Sequence, residues 1–389
     1  MSDPLKTQNL GNHPDILPVG DVQFQKARDL RYGENPSQTA AMYASPQGTF
    51  LSTLKELKTG KQGPSQTNME DMVYGAVTLG YFKAPSVVIM KHLNPSGFAT
   101  QYAPEPLSAT YRKAREGDFR AAFGGTVLFN MPVDLETADA LNELFREVIV
   151  APGFDEGVVD RFKGTVRVYE YDERQFSAIP RYANSERTPI IKQLPDGTLI
   201  RSNLLVTPIK NWQDLQKYAV GSRQFTADET GDLLKKNKDK TPDQIEATLR
   251  ANRTPHDGEF RDLLTGYRIR LRSNSVRMVR NGYTVALGTG QQDRVMCVDI
   301  AEYKNRKLME LADKEERNRY FDYFVPGSVL VSDGFFPFPD SIELARKFGI
   351  TAVLAPHGGD HFLDVVQAAN ESGIAFVDLP GDLRFFAHY

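Results

Sequence analysis

The amino-acid sequence predicts an α/β protein made of two similar halves with a helical segment between them. Three observations predict it. Short runs rich in Val, Ile and aromatics alternate with segments of three-to-four-residue apolar spacing, first over residues 21–210 and again over 271–389. Such alternation favours a layered sheet with some parallel pairing. Residues 211–270 break the pattern, being helix-like and heavily charged. The chain's 389 residues are also too many for one ordinary core. Residues 1–20, ending in "LPVG", read as a loose N-terminal arm.

In the first half, "SVVIM" (86–90), "GGTVLFN" (124–130), "EVIVAP" (147–152) and "TVRVYEY" (165–171) are strand-like runs closed by turn residues. Between them, "PLSATYRKAREG" and "DLETADALNELF" have helical spacing, and Asp134 stands where an N-cap belongs. The middle segment carries "DETGDLLKKNKDK", "TPDQIEATLRAN" and "GEFRDLLTGYRIR". The mixed-sign run Lys235-Lys236-Asn237-Lys238-Asp239-Lys240 is most simply a solvated helix end. In the second half, "SVRMVRNGYTVALG" reads as a hairpin, and "GSVLVSDG", "ITAVLAP" and "GIAFVDLP" read as strands. "DSIELARKFG" and "FLDVVQAANESG" read as helices, the last stopped by Gly373. The two halves suggest duplicated architecture without a sequence-level repeat.

Hydrophobic residues make up 40% and charged residues 25%, an ordinary globular composition. A net charge of -3 gives no sign of non-specific nucleic-acid or membrane-surface binding. No apolar run approaches the roughly 20 residues of a membrane helix, and "MSDPLKTQNLGNHPD" lacks the order of a signal peptide. A cytoplasmic location is the economical expectation. One cysteine, Cys297, excludes an internal disulfide and any multi-thiolate zinc site.

Several stretches can carry chemistry. Lys91-His92 ends the run "APSVVIM" and precedes "LNPSG", where an Asn-Pro/Ser-Gly turn is expected. Sites in open α/β sheets lie beyond the carboxyl ends of strands. A histidine there can take a proton near neutral pH, and a lysine can stabilise developing negative charge or keep the imidazole neutral. A bare Lys-His pair is also common on ordinary loops. In "DLRYGENP", Arg31 and Tyr32 can clamp a phosphate and stack on a base, although an exposed turn fits equally. Ser273-Asn274-Ser275 and "GTGQQDR" bracket the second-half hairpin; the latter has neither P-loop nor dinucleotide-binding spacing, yet its amides and Arg294 can face a ligand. In "SDGFFPFPD", Phe335, Phe336 and Phe338 lie beside Asp333, as core packing or as an aromatic wall for a flat heterocycle. His357 and His361 look like metal ligands only on paper, because no further ligand is evident, so no metal is expected. In the terminal "GDLRFFAHY", Arg384 is a phosphate contact or a structural ion pair.

The order of these motifs is more specific than any one of them. "RYGENPSQ", "KHLNPSG", "AFGG", "EVIVAPGF", "SNSV", "GTGQQDR", "SDGFFPF" and a terminal "LRFFAH" occur in sequence. In that order they resemble the transformylase portion of the AICAR transformylase/IMP cyclohydrolase family of purine biosynthesis, over about residues 25 to 389. The resemblance implies two cytidine-deaminase-like α/β/α units joined by a smaller, partly helical segment. It implies transfer of a formyl group from 10-formyltetrahydrofolate, as co-substrate, to the 5-amino group of AICAR (5-aminoimidazole-4-carboxamide ribonucleotide). It makes His92 the general base, Lys91 the transition-state stabiliser and Asn274 an amide near the formyl group. Arg31, Tyr32, Gly124, Glu147, Arg294, Arg384 and His388 match nucleotide-binding positions, with Arg294 contributed across a homodimer interface. Asp333, Phe335, Val295 and Val353 match folate-side positions.

The chain also departs from the family pattern. Ser96 stands where many relatives carry cysteine, and His357 where they often carry serine. The terminus "FFAHY" weakens the match of His388. About 20 residues precede "DVQFQKARDLRYG", so ring closure is expected from a separate IMP cyclohydrolase. Two other classes compete. A catalytically silent AICAR- or folate-binding paralogue would not need the intact Lys91-His92 pair. A zinc nucleobase deaminase would need His-x-Glu followed by Cys-x-x-Cys, and the chain has one cysteine.

Overall fold

The computed structural model describes residues 13–182, 189–311 and 324–385. The chain divides into two compact units. The first takes the chain up to Ser96 with Ala103–Arg112 and Arg120–Ile179; the second takes Gly97–Tyr102, Lys113–Phe119 and the chain from Pro180.

The first unit begins with β1 (Ile16–Val19), β2 (Val22–Leu30) and β3 (Ala40–Ala44), an antiparallel three-stranded sheet. The end of the expected loose arm is therefore strand, paired to β2 from Ile16 to Val19. Strand β4 (Lys55–Lys58) leads to helix α1 (Gln66–Leu79) and strand β5 (Ser86–Lys91). Strand β6 (Asn94–Thr100) and helix α2 (Leu107–Glu116) follow, and their residues are divided between the units. Then come β7 (Thr126–Phe129), α3 (Leu135–Asn142), β8 (Val148–Ala151), α4 (Val158–Arg161), β9 (Arg167–Glu170) and α5 (Glu173–Ala178). The main sheet of this unit runs β5-β7-β8-β9-β4. Strands β7, β8 and β9 are parallel, while β5 and β4 are antiparallel to their neighbours.

Local chemistry explains why these segments fold as they do. Strands β7 and β8 are buried at every position, as continuous apolar runs in a covered sheet should be. Helix α1 starts on a capping box in which Ser65 Oγ accepts from the Asn68 amide and Asn68 Oδ1 accepts from the Ser65 amide. Met72, Ala76 and Leu79 of α1 are sealed against the sheet. A large side chain such as Met72 or Leu79 stabilises by about 1.5–3 kcal/mol on burial. Gly75 permits the close approach, since a Cβ there would lie 2.4 Å from Leu128 Cδ1. The expected cap of α3 is present, with Asp134 Oδ1 accepting from the Thr137 amide at 2.7 Å.

The second unit contains the hairpin β10 (Pro189–Gln193)/β11 (Leu199–Asn203) and the helices α6 (Gln213–Gln216), α7 (Ala227–Lys236), α8 (Pro242–Arg250) and α9 (Asp257–Arg268). Thr226, Thr241 and His256 each close a capping box on α7, α8 and α9. After them come β12 (Ser275–Arg280), β13 (Tyr283–Thr289), α10 (Arg294–Leu311), β14 (Val329–Ser332), β15 (Ala352–Pro356) and β16 (Ala375–Leu379). Helices Asp340–Lys347 and Phe362–Glu371 connect the last three strands. Here the strand order is β16-β15-β14-β12-β13-β6, with β14, β15 and β16 parallel. The β12–β13 turn is Asn281-Gly282, both at positive φ, as a two-residue hairpin of this twist requires. Gly373 takes φ +67 just past the last helix.

The duplication suggested by the sequence is real at the level of chain order. Helix, two strands, helix and three parallel strands with helical connections run from α1 to β9 and again from α9 to β16. Among the described residues, no helix is long and apolar enough to cross a membrane.

Candidate active site

In the first unit, the turn beyond β5 differs from the one expected. Asn94, Pro95, Ser96 and Gly97 belong to β6, and the reversal falls on His92-Leu93 instead. Both residues have positive φ, 54° and 65°. Bulky side chains seldom adopt that region, so other contacts must hold the turn. One is visible: the buried Asp71 of α1 accepts from the Leu93 amide through Oδ1 at 2.7 Å. The turn leaves the His92 side chain exposed at the strand tip.

Lys91, the last residue of β5, turns toward the loop before β7. Its Nζ donates to the carbonyls of Phe123 at 2.9 Å and Gly124 at 3.2 Å. Gly124 sits at φ +67, and a Cβ there would lie 3.2 Å from that Nζ. A side chain at 124 would crowd the ammonium as well as strain the backbone. Lys91 and Gly124 therefore lie in contact, with His92 the next residue in the chain.

Arg31 and Tyr32 follow β2. The Arg31 guanidinium lies 4.5 Å from the centroid of the Tyr32 ring, with Nη2 donating to the Tyr32 hydroxyl at 2.7 Å. Its backbone is tied to the start of α1, because the Arg31 amide donates to Pro64 and the Gln66 amide donates to Tyr32. Glu147 reaches Arg31 Nη2 at 3.6 Å and Arg167 Nη1 at 3.0 Å. Arg167 went unread in the sequence because it looks like an ordinary strand residue of "TVRVYEY". It is 1% exposed and also donates to the carbonyls of Lys61 and Gly63 at 2.5 Å. Burial pulls its pKa down from the usual arginine value, and Glu147 opposes that shift. One carboxylate between two arginines leaves net positive charge, which suits a phosphate. Asp71 faces this cluster, and burial pushes its carboxyl up to about 7, with Glu70 and Glu147 adding to the shift and Lys91 opposing it.

In the second unit, Asn274 immediately precedes β12 and follows a cis Ser273–Asn274 peptide. Asn274 Oδ1 accepts from Arg294 Nη2 at 2.9 Å, and its Nδ2 donates to the Gln292 carbonyl at 2.9 Å. Arg294 is ion-paired through Nη1 to Asp333 Oδ1, and the Ser275 amide donates to the same oxygen at 3.1 Å. Asp333 is sealed from solvent, with its second oxygen unpartnered. Of the two glycines of "GTGQQDR", Gly288 serves packing, since a Cβ there would lie 1.8 Å from the Cys297 carbonyl oxygen of α10, whereas Gly290 lies in open space at φ +77. Val295 is half-buried beside Arg294. Val353 is fully buried in β15, so in this structure it is core rather than lining.

The three phenylalanines of "FFPF" diverge: Phe336 is buried, Phe335 half-buried and Phe338 exposed. Phe335 packs against the glycine loop after β15, where a Cβ at Gly358 would lie 2.8 Å from its ring. The Arg384 guanidinium lies 5.7 Å from the Phe335 centroid, and its Nη2 donates to the His357 carbonyl at 3.0 Å. His357 Nδ1 bonds Asp378 Oδ2 at 2.9 Å, and Arg223 also pairs with that oxygen. Burial raises the pKa of Asp378, while His357 and Arg223 hold it down. His361 bonds a different acid, Asp364, at 3.1 Å. Among the described residues, no group of three or more His, Cys, Asp or Glu converges on a metal position. His388 lies outside the described residues.

Each unit of this α/β protein thus carries its own cluster of arginines and polar groups at strand ends, Arg31, Glu147 and Arg167 in the first and Asn274, Arg294 and Asp333 in the second. The chain belongs to the AICARFT/IMPCHase bienzyme family, whose model matches residues 5–304. It is 35% identical over 371 residues to a protein of Persephonella marina and 31% identical over 374 residues to one of Chlorobaculum parvum. Each match covers 94% of this chain and 60% of the relative. A Bacillus cereus protein is 27% identical over 385 residues, covering 98% of this chain and 63% of the relative. All three bear the name bifunctional purine biosynthesis protein PurH. The chain spans about 60% of the length of the first two relatives, and family membership supports a role in purine biosynthesis.

Proposed function

We propose that this chain transfers the formyl group of 10-formyltetrahydrofolate to the 5-amino group of AICAR, giving formamido-AICAR and tetrahydrofolate. The observation that carries this reading is the pair of groups at the tip of β5: an exposed imidazole on a held turn, beside an ammonium anchored on two carbonyls. The amine is a poor nucleophile because its lone pair is delocalised into the ring. As its nitrogen attacks the formyl carbon, His92 takes the amine proton and Lys91 stabilises the oxyanion that forms. Collapse breaks the bond from carbon to the folate nitrogen, which takes a proton from the imidazolium as tetrahydrofolate leaves.

Arg31, Tyr32, Gly124 and Glu147 are the nucleotide side of this proposal, with Arg294, Arg384 and His388 as further nucleotide contacts. Asn274 serves the formyl group, and Asp333, Phe335 and Val295 serve the folate. The working form is a cytoplasmic homodimer with shared active sites, which light scattering of the purified chain tests. The functional test is His92→Ala. Removing a general base lowers turnover by about 10²–10⁴-fold, whereas calorimetric binding of AICAR is largely retained. Turnover by that variant near the wild-type rate would remove His92 from the chemistry.

A further inference from the structure

The His92-Leu93 turn is held in a conformation its own side chains disfavour, and the group that holds it comes from another element. Asp71 lies on α1, more than twenty residues earlier, and is almost fully buried. The start of the same helix anchors the Arg31-Tyr32 segment, through Gln66 and through Pro64 just before the cap. One helix therefore sets both the strand-tip turn and the arginine segment. We propose that Asp71 is a positioning residue for His92, its carboxylate fixing the turn through the Leu93 amide. The inference rests on the reading of His92 as the base.

An ionised carboxylate accepts an amide hydrogen bond roughly twice as strongly as a neutral group does. The anchor is thus strongest when Asp71 is charged and weakens as it takes a proton. The groups that face it are Glu70 on its own helix, Lys91 at the end of β5, Glu147 before β8 and the Leu93 amide in the turn. Glu147 is itself engaged by Arg31 and Arg167. Burial and the two acids raise the Asp71 pKa to about 7, so the anchor changes state near neutral pH.

The test uses the full chain labelled with ¹⁵N-leucine, with the Leu93 amide assigned by its loss in Leu93→Ile. In wild type its shift follows pH with a midpoint near 7. The step persists in His92→Gln and disappears in Asp71→Asn. A step lost in His92→Gln, or retained in Asp71→Asn, would overturn the assignment. In the kinetic arm, Asp71→Ala lowers kcat about tenfold or more while the KM for AICAR changes by less than about twofold. Asp71→Asn, which keeps an acceptor oxygen, recovers most of that loss. A wild-type kcat in Asp71→Ala, with His92→Ala inactive, would refute positioning and leave the function standing. An inactive wild type would refute the function, and the amide titration would still decide whether Asp71 holds the turn.

Discussion

The Arg294–Asp333 pair allows a worked prediction of stability. Arg294 is the first residue of α10, where the helix macrodipole is positive and a cation is of the wrong sign. Asp333 compensates it from inside the protein: its side chain is 0% exposed and that of Arg294 is 11%. Asp333→Asn keeps an acceptor for the Ser275 amide and removes only the countercharge, leaving a buried cation at a positive helix end. Breaking a buried pair in this way costs about 3–5 kcal/mol, a large share of the roughly 5–15 kcal/mol that stabilises a domain. Arg294→Met strands the buried Asp333 carboxylate instead, at a comparable cost. In the double variant Arg294→Met/Asp333→Leu no charge is stranded, and most of the loss returns. Urea unfolding followed by circular dichroism measures all three. A loss below about 1 kcal/mol in Asp333→Asn, or a double variant as unstable as the sum of the singles, would refute the reasoning.

Three further outcomes follow from the first unit. Gly124→Ala forces a left-handed residue, at about 1–2 kcal/mol, and sets a methyl 3.2 Å from Lys91 Nζ; thermal melting reads the first effect and a reduced kcat the second. Arg31→Ala removes a guanidinium from the Glu147 network and is expected to raise the KM for AICAR by about 10–100-fold, the equivalent of about 1.4–2.8 kcal/mol. Asp71 sits well above the ordinary carboxylate value of 3.8, so the folded state holds its proton longer than the unfolded one. Its contribution is complete below about pH 4 and is lost as pH rises through about 7. Asp71→Asn should therefore gain up to roughly 4 kcal/mol over wild type at pH 9 and nothing at pH 4, as urea midpoints across pH would show.

The parts of the fold that stood out in the sequence were those whose signal is local. Strands β7 and β8 are short apolar runs between turn residues, and Asp134, Asn281-Gly282 and Gly373 mark a cap, a hairpin and a helix stop by their own chemistry. Strand β2 did not stand out, because "VQFQKARDL" is half exposed and its alternation is carried by polar residues. The site was legible as an ordered set of motifs, but its geometry was not. "NPSG" is made of turn formers, yet it lies in β6 because the reversal is imposed at His92-Leu93 by an acid from α1. Arg167 and Asp378 were hidden for the same reason, since their partners Glu147, Arg223 and His357 are distant in sequence.

The central claim is tested most directly by the absorbance change as tetrahydrofolate forms from 10-formyltetrahydrofolate with the purified chain. Formation that requires AICAR, and yields one formamido-AICAR for each tetrahydrofolate, is the predicted result. The same rate with and without AICAR, or no tetrahydrofolate from a chain that binds both ligands, would contradict it.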